Sequence, residues 1–249
     1  MSESSACEKC GLEFGPMPEL TVVVPVYNEE QLVGEAVETL ARTLDSAHID
    51  YQLRVYDDGS RDGTAAVLRE LAVRNKRIVV VTKPNSGHGP TIARGYREAT
   101  GEWIFQMDSD GEMPADQILA LWNRRSEFDF LIGRRVSRQA TTIRRLFTAV
   151  CRLIVRILFR GRIHDVNSPF RLMRKAWLLK ALPRIPETAA APNVMLSALA
   201  SRSDARIFEM DVPYQQRRVG TGSLTSFRLW KLASIALLQT LATAFHRTR

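Results

Sequence analysis

Asp108, Asp110 and Glu112 stand at alternate positions in Asp108-Ser109-Asp110-Gly111-Glu112. The preceding run, Trp103-Ile104-Phe105-Gln106-Met107, reads as a buried strand. Carboxylates crowded at a strand end repel and raise one another's pKa. A divalent cation relieves that repulsion. Mg²⁺ or Mn²⁺ takes one or two protein carboxylates and completes its shell with water and phosphate oxygens. An acidic turn without a ligand has the same composition, because Asp and Gly are common in turns. The other loops of the chain decide between these readings.

Strand-like and helix-like segments alternate before this cluster. Strands are predicted at 20–26, 51–56, 77–82, 102–107 and 128–133, and helices at 30–44, 62–74, 91–99 and 115–122. Such alternation implies right-handed βαβ crossovers and a mostly parallel sheet flanked by helices. Ligands of these sheets lie at the carboxyl ends of the strands. Four loops meet there: 25–29, 57–63, 84–89 and 108–112. In the first, Tyr27 offers a ring to stack on a base, with Asn28 and Glu29 beside it. In the second, Asp57 and Asp58 offer acceptors for a base N–H or ribose hydroxyls, and Asp62 is a good helix cap. The third, Asn85-Ser86-Gly87-His88-Gly89, leads into a helix N-terminus suited to phosphate. It carries neither the Lys-Ser/Thr of a P-loop nor a GxGxxG pattern.

The 249 residues, 45% hydrophobic, suffice for one large α/β domain. The net charge is +8, and nine Arg with no Asp or Glu lie between 134 and 162. Such a block suits phosphate, an anionic membrane surface or nucleic acid. Within it, 143–159 has an apolar stripe at helical spacing and Arg144, Arg145, Arg152 and Arg156 on the other face. That pattern fits a helix lying in a membrane interface. The charge-free segment 232–245 fits an interfacial helix, a re-entrant hairpin with the first, or a homodimer contact. Neither segment reaches the length of a simple membrane span. The polar, acidic N-terminus has no secretory pattern, and three Cys fit a reducing compartment. Cys7 and Cys10 form a CxxC without a second pair. The expected organisation is a disordered lead-in at 1–18, a catalytic domain at 19–223 and a C-terminal amphipathic helix at 224–249.

Taken together, the motifs resemble the family-2 glycosyltransferases of GT-A fold, and among them the dolichol- or polyprenol-phosphate sugar transferases. The resemblance rests on Val24-Pro25-Val26-Tyr27-Asn28-Glu29, Asp57-Asp58-Gly59-Ser60 with Asp62-Gly63-Thr64, Asn85 with Gly87, Gly89 and Gly95, and Asp108-Ser109-Asp110. Asp165-Val166-Asn167-Ser168-Pro169-Phe170-Arg171, Val212-Pro213, Arg217-Arg218 and Gly222-Ser223 follow in order. The resemblance implies a nucleotide pocket lined by Pro25, Tyr27, Glu29, Asp57, Asp58 and Asn85. It implies Asp108, Asp110 and Glu112 as ligands of Mg²⁺ or Mn²⁺ on the donor diphosphate. It also implies Arg134, Arg135 and Arg145 on a phosphate, and Arg217, Arg218 and Ser223 on a loop that closes over the nucleotide-sugar.

Some positions depart from the family pattern. His88 stands where Lys is common, and Pro90 replaces a small residue in the first helical turn, where proline is tolerated. Asn167-Ser168-Pro169 replaces Met-Ser-Gly, and 189–193 lacks the carboxylate that many hydroxyl-acceptor enzymes use as base. A sugar hydroxyl needs a base as it attacks. A lipid phosphate is already anionic and needs only to be held. The expected reaction is therefore inverting, metal-dependent transfer from a UDP- or GDP-sugar to a polyprenyl phosphate on the cytoplasmic face of a membrane. Glu187 and Asp165 stay open as alternative bases for a hydroxyl acceptor of a cell-wall or surface glycan. A non-catalytic binding module on a degenerate scaffold is the third reading, and the intact acidic cluster weighs against it. Nucleic acid is not an expected partner, since no aromatic–basic strand pattern occurs.

Overall fold

The computed structural model describes residues 17–136, 153, 163–214 and 238–240. The CxxC, most of the lead-in and most of the 143–159 and 224–249 segments lie outside them, as do Arg145, Arg217, Arg218 and Ser223.

The first half alternates as expected. β1 (Leu20–Val26), α1 (Val33–Ser46), β2 (Tyr51–Asp57), α2 (Thr64–Arg74), β3 (Ile78–Thr82), α3 (His88–Glu98) and β4 (Trp103–Gln106) follow in order. A 3₁₀ turn at Ala115–Gln117 then leads into the short α4 (Ile118–Trp122), and β5 (Phe130–Val136) follows. Helix α1 starts three residues later than its apolar spacing predicts. The Glu29 carbonyl accepts from both Leu32 and Val33 N–H, so residues 29–32 form a turn. Asp62 does not sit at the cap position of α2, which is Gly63. It serves the same end from one residue earlier, accepting from Thr64 N–H at 3.1 Å.

The seven-stranded sheet has the order β3-β2-β1-β4-β6-β5-β7, where β6 is Arg171–Arg174 and β7 is Ile207–Pro213. β6 runs antiparallel to both β4 and β5, and every other pairing is parallel. Six carboxyl ends thus share one edge, and the chain enters β6 from that same edge. β6, β7, α5 (Lys175–Ala181) and α6 (Pro192–Arg202) were not among the predicted elements.

The strand pleat sorts side chains between two cores. Val22, Val24, Leu53, Val55, Phe105 and Leu131 pack on one face with α1, α2 and α4. Val23, Tyr56, Ile104, Phe130 and Ile132 pack on the other with α3, α5 and α6. Helix α1 contributes Val33, Val37, Leu40, Ala41 and Leu44, one stripe at helical spacing. Each Val and Leu of this stripe contributes about 1.5–3 kcal/mol by leaving water. On the opposite face α3 lies close to β1 because Gly95 has no side chain. A Cβ there would fall 2.3 Å from Val23 Cγ1 and 3.1 Å from the Tyr56 ring. This contact sets how near α3 lies to β1 and β2. Gly95→Val is expected to destabilise the fold by about 1–3 kcal/mol through overpacking, read as a lower urea midpoint with an unchanged slope.

Candidate active site

The register aligns Val26, Asp57 and Thr82 in one row at the carboxyl edge. β4 ends nearby, with Val23 paired to Gln106 and Met107 N–H donating to the Val23 carbonyl at 3.3 Å. The acidic segment therefore emerges beside the loops that follow β1, β2 and β3.

Its second residue is the anchor. Ser109 is buried, with its hydroxyl 3.1 Å from the Pro25 carbonyl and hydrogen-bonded to the Glu29 carboxylate. The Glu29 N–H in turn donates to Thr64 Oγ1 at 2.9 Å. Gly111 adopts φ of 69°, a left-handed turn that suits glycine, and Glu112 N–H donates to Asp110 Oδ1 at 3.0 Å. Burial, then the charges of Asp108 and Glu112, push the half-buried Asp110 carboxyl up to about 7. Tyr214, just past β7, donates its phenol to Glu112. A small cavity opens here, lined by Asp108, Asp110, Glu112, Arg135, Pro169 and Tyr214 over Met107 and Met113.

Among the described residues, no three His, Cys, Asp or Glu side chains already converge at metal-ligand spacing. The set Asp108, Asp110 and Glu112 is thus not a preformed cage, and Glu112 is held by Tyr214. The chemistry still fits a hard cation. Mg²⁺-type sites use one or two carboxylates and leave the remaining positions to phosphate and water. Asp110, raised by burial and its acidic neighbours, is the group that a cation would restore to its ionised form.

The expected arginines separate. Arg134 and Arg135 are adjacent on β5 and so point to opposite faces. Arg135 lines the cavity and forms a two-point pair with Asp165 at 2.8 and 2.9 Å. Burial alone would raise Asp165; the Arg135 guanidinium outweighs it and holds the carboxyl below its ordinary range. Arg134 does not line the cavity and forms its own two-point pair with Asp211.

The expected nucleotide residues also take distinct roles. Tyr27 is 37% exposed, and its ring is open to a ligand. Asp57 is buried and accepts from Ser60 N–H at 2.9 Å. Asp58 is turned inward: it pairs with buried Lys83 and accepts from Ser86 and Gly87 N–H at 2.8 and 2.9 Å. Asn85 donates its amide to the Asp58 carbonyl at 2.8 Å. Asp58 and Asn85 thus shape the 84–89 loop. That loop brings His88 Nε2 to 3.6 Å from Asp108 Oδ1 at the start of α3.

Several polar residues of this region escape a reading by motif. Gln106, Tyr96, Asn193 and Arg171 are all buried behind Asp108. Lys83 and Tyr214 belong with them as partners of Asp58 and Glu112. Arg171 closes the Asp165–Arg171 motif, Asn193 ends the 189–193 stretch, and Tyr214 follows Val212-Pro213, but no motif gave these side chains a role.

The raised Asp110 carboxyl has a definite consequence for stability. Its pKa in the folded protein exceeds the unfolded value of 3.8, so the folded state binds the extra proton between these values. Without metal, the stability from this group is present below about pH 4 and is lost as pH rises through about 7. Asp110→Asn should remove that decline and leave the metal-free protein more stable than wild type at pH 8, as read by thermal unfolding across pH.

Comparison with known proteins gives the family and the fold. The profile of Glycosyl transferase family 2 matches residues 21–181. An undecaprenyl-phosphate 4-deoxy-4-formamido-L-arabinose transferase from Proteus mirabilis is 25% identical over 222 residues, covering 88% of this chain and 67% of the relative. Its counterpart from Pectobacterium atrosepticum is 25% identical over 216 residues, covering 86% and 64%. The chain thus spans about two-thirds of their length. In fold it is similar to glucosyl-3-phosphoglycerate synthase from Mycobacterium tuberculosis, with a TM-score of 0.68, 17% identity and coverage of 93% of this chain and 81% of that one. A structure of that enzyme with Mn²⁺, UDP-glucose and phosphoglyceric acid gives a TM-score of 0.66 at 15% identity, with coverage of 93% and 81%. With a seven-stranded mixed sheet and the acidic segment at its carboxyl edge, the chain belongs to glycosyl transferase family 2 and is a glycosyltransferase of GT-A fold.

Proposed function

We propose that this glycosyltransferase moves a sugar, with inversion, from a UDP- or GDP-sugar to a polyprenyl phosphate at the cytoplasmic face of a membrane. The observation that carries the choice of acceptor is the Arg135–Asp165 pair. Asp165 is one of two carboxylates open to a role as base for a hydroxyl acceptor, and it is clasped at two points with its pKa held low. A carboxylate so engaged is a poor general base. Arg135 beside the acidic cluster suits an acceptor that already carries its charge. The names of the Proteus and Pectobacterium relatives, both undecaprenyl-phosphate transferases, point the same way.

In this reading Tyr27 stacks on the base, while Asp57 and Glu29 border the nucleotide. Asp108 and Asp110 would hold Mg²⁺ or Mn²⁺ against the donor diphosphate, and Glu112, held by Tyr214, is the third carboxylate of the segment. The cation supplies charge neutralisation for the departing nucleoside diphosphate. Arg135 draws the acceptor phosphate towards the anomeric carbon. Arg145, Arg217, Arg218 and Ser223, outside the described residues, are assigned to acceptor and donor phosphates on motif alone. Among the described residues, no helix is long and apolar enough to cross a membrane. Peripheral attachment through the 143–159 and 224–249 segments is part of the proposal.

The test is transfer of radiolabelled sugar from UDP- and GDP-sugars to undecaprenyl and dolichyl phosphate, with Mn²⁺ or with EDTA. The expected outcome is an organic-extractable product that EDTA abolishes. Asp110→Ala should lower the rate by roughly 10³-fold, the equivalent of about 4 kcal/mol of lost transition-state stabilisation. Product found only on soluble glycan would assign the acceptor to the hydroxyl class.

A further inference from the structure

A directional chain of buried hydrogen bonds ends on Asp108. It begins at Tyr96 on α3, whose phenol donates to Asn193 Oδ1 at 2.8 Å. Asn193, in the first turn of α6, donates its amide N–H to Gln106 Oε1 at 2.9 Å. Gln106, the last residue of β4, donates to Asp108 Oδ1 at 3.1 Å. Tyr96, Asn193 and Gln106 are at most 4% exposed. Burial raises the Tyr96 pKa well above its ordinary value, so its proton stays in place. Arg171, fully buried, donates to the Asn193 carbonyl at 2.9 Å and to the Ser168 carbonyl, which fixes the start of α6.

The amide orientations follow from this geometry. Turning Gln106 over would aim its oxygen at the Asp108 carboxylate and its NH₂ at the Asn193 NH₂. Turning Asn193 over would set its oxygen against Gln106 Oε1, acceptor against acceptor, unless Gln106 turned as well. One arrangement satisfies every buried atom, and in it each donor points towards Asp108. Hydrogen bonds aligned in this sense polarise one another.

We propose that Gln106 is a positioning residue for the cation site. It occupies Asp108 Oδ1 and leaves Oδ2 for the cation, and Asn193 and Tyr96 fix it in that role. The chain also ties the start of α6 to the acidic segment, which Ser109 and the Tyr214–Glu112 bond hold from other sides. This inference rests on the reading of Asp108 as a metal ligand. Outer-sphere partners of metal-binding carboxylates carry effects of about 10–100-fold on affinity or activity.

The experiment measures Mn²⁺ affinity by electron paramagnetic resonance, with UDP or GDP present, for wild type, Gln106→Glu, Tyr96→Phe and the double variant. Gln106→Glu keeps the volume and removes the donor, and is expected to weaken Mn²⁺ binding by about 10–100-fold. Tyr96→Phe removes only the distant hydroxyl and should weaken it by a few-fold (~3-fold for one second-sphere bond). In the Gln106→Glu background, where the chain is already cut, Tyr96→Phe should have no further effect on Mn²⁺. Equal Mn²⁺ affinity in wild type and either single variant would overturn the inference alone, as would additive losses in the double variant. If Gln106→Glu does not fold, Tyr96→Phe decides by itself. Absence of Mn²⁺ binding by wild type would overturn the metal reading and this inference together.

Discussion

Asp108, Asp110 and Glu112 share one turn, and burial together with the charges of its neighbours pushes the Asp110 carboxyl up to about 7. Water is partly excluded there, so the repulsion is poorly screened. A turn of this composition would open if it were free to do so. It is held shut through Ser109, fastened to Pro25 and Glu29 on one side. From behind, Gln106 holds Asp108. Tyr214 clasps Glu112 from the end of β7. The loops around the site serve one end: to keep together charges that separate unless a cation joins them.

The other charges near this edge are mostly matched within the fold. Lys83 with Asp58 shapes the loop before α3, and Arg135 with Asp165 braces the segment that enters β6. Buried pairs of this kind are weak net stabilisers but costly to break. They act here as fasteners that give loops one conformation. The contrast with Asp110 is informative. Where the fold requires a charge, it supplies the partner; at Asp110 the nearest charges have the same sign.

The first half of the fold was legible because its strands and helices carry the two periods that burial demands. The resemblance in order of the strand-end motifs then identified the carboxyl edge. β6 was not legible for a physical reason. Its four residues, Arg-Leu-Met-Arg, begin with an arginine that is fully buried, against the usual exposure of that side chain. Arg171 satisfies main-chain carbonyls, a role that spacing does not reveal. Asp58 and Asn85 were placed at the right loop but not in their inward orientation, since both bond to partners at the same strand ends. Gln106 and Asn193 are 87 positions apart and meet only because β4 and α6 pack on one face. Arg134 and Arg135 could be separated by the strand pleat, once β5 was known to run to Val136.

The central claim is that burial and its acidic neighbours hold the Asp110 carboxyl well above its ordinary range until a cation arrives. The most direct measurement is a ¹³C carboxyl NMR titration of selectively labelled protein, first free and then with Mg²⁺ and a nucleoside diphosphate. A titration midpoint near 7 for Asp110 in the free protein, moving down by at least about two units with Mg²⁺ bound, is the predicted result. An Asp110 carboxyl that titrates near 4 in both states would contradict it.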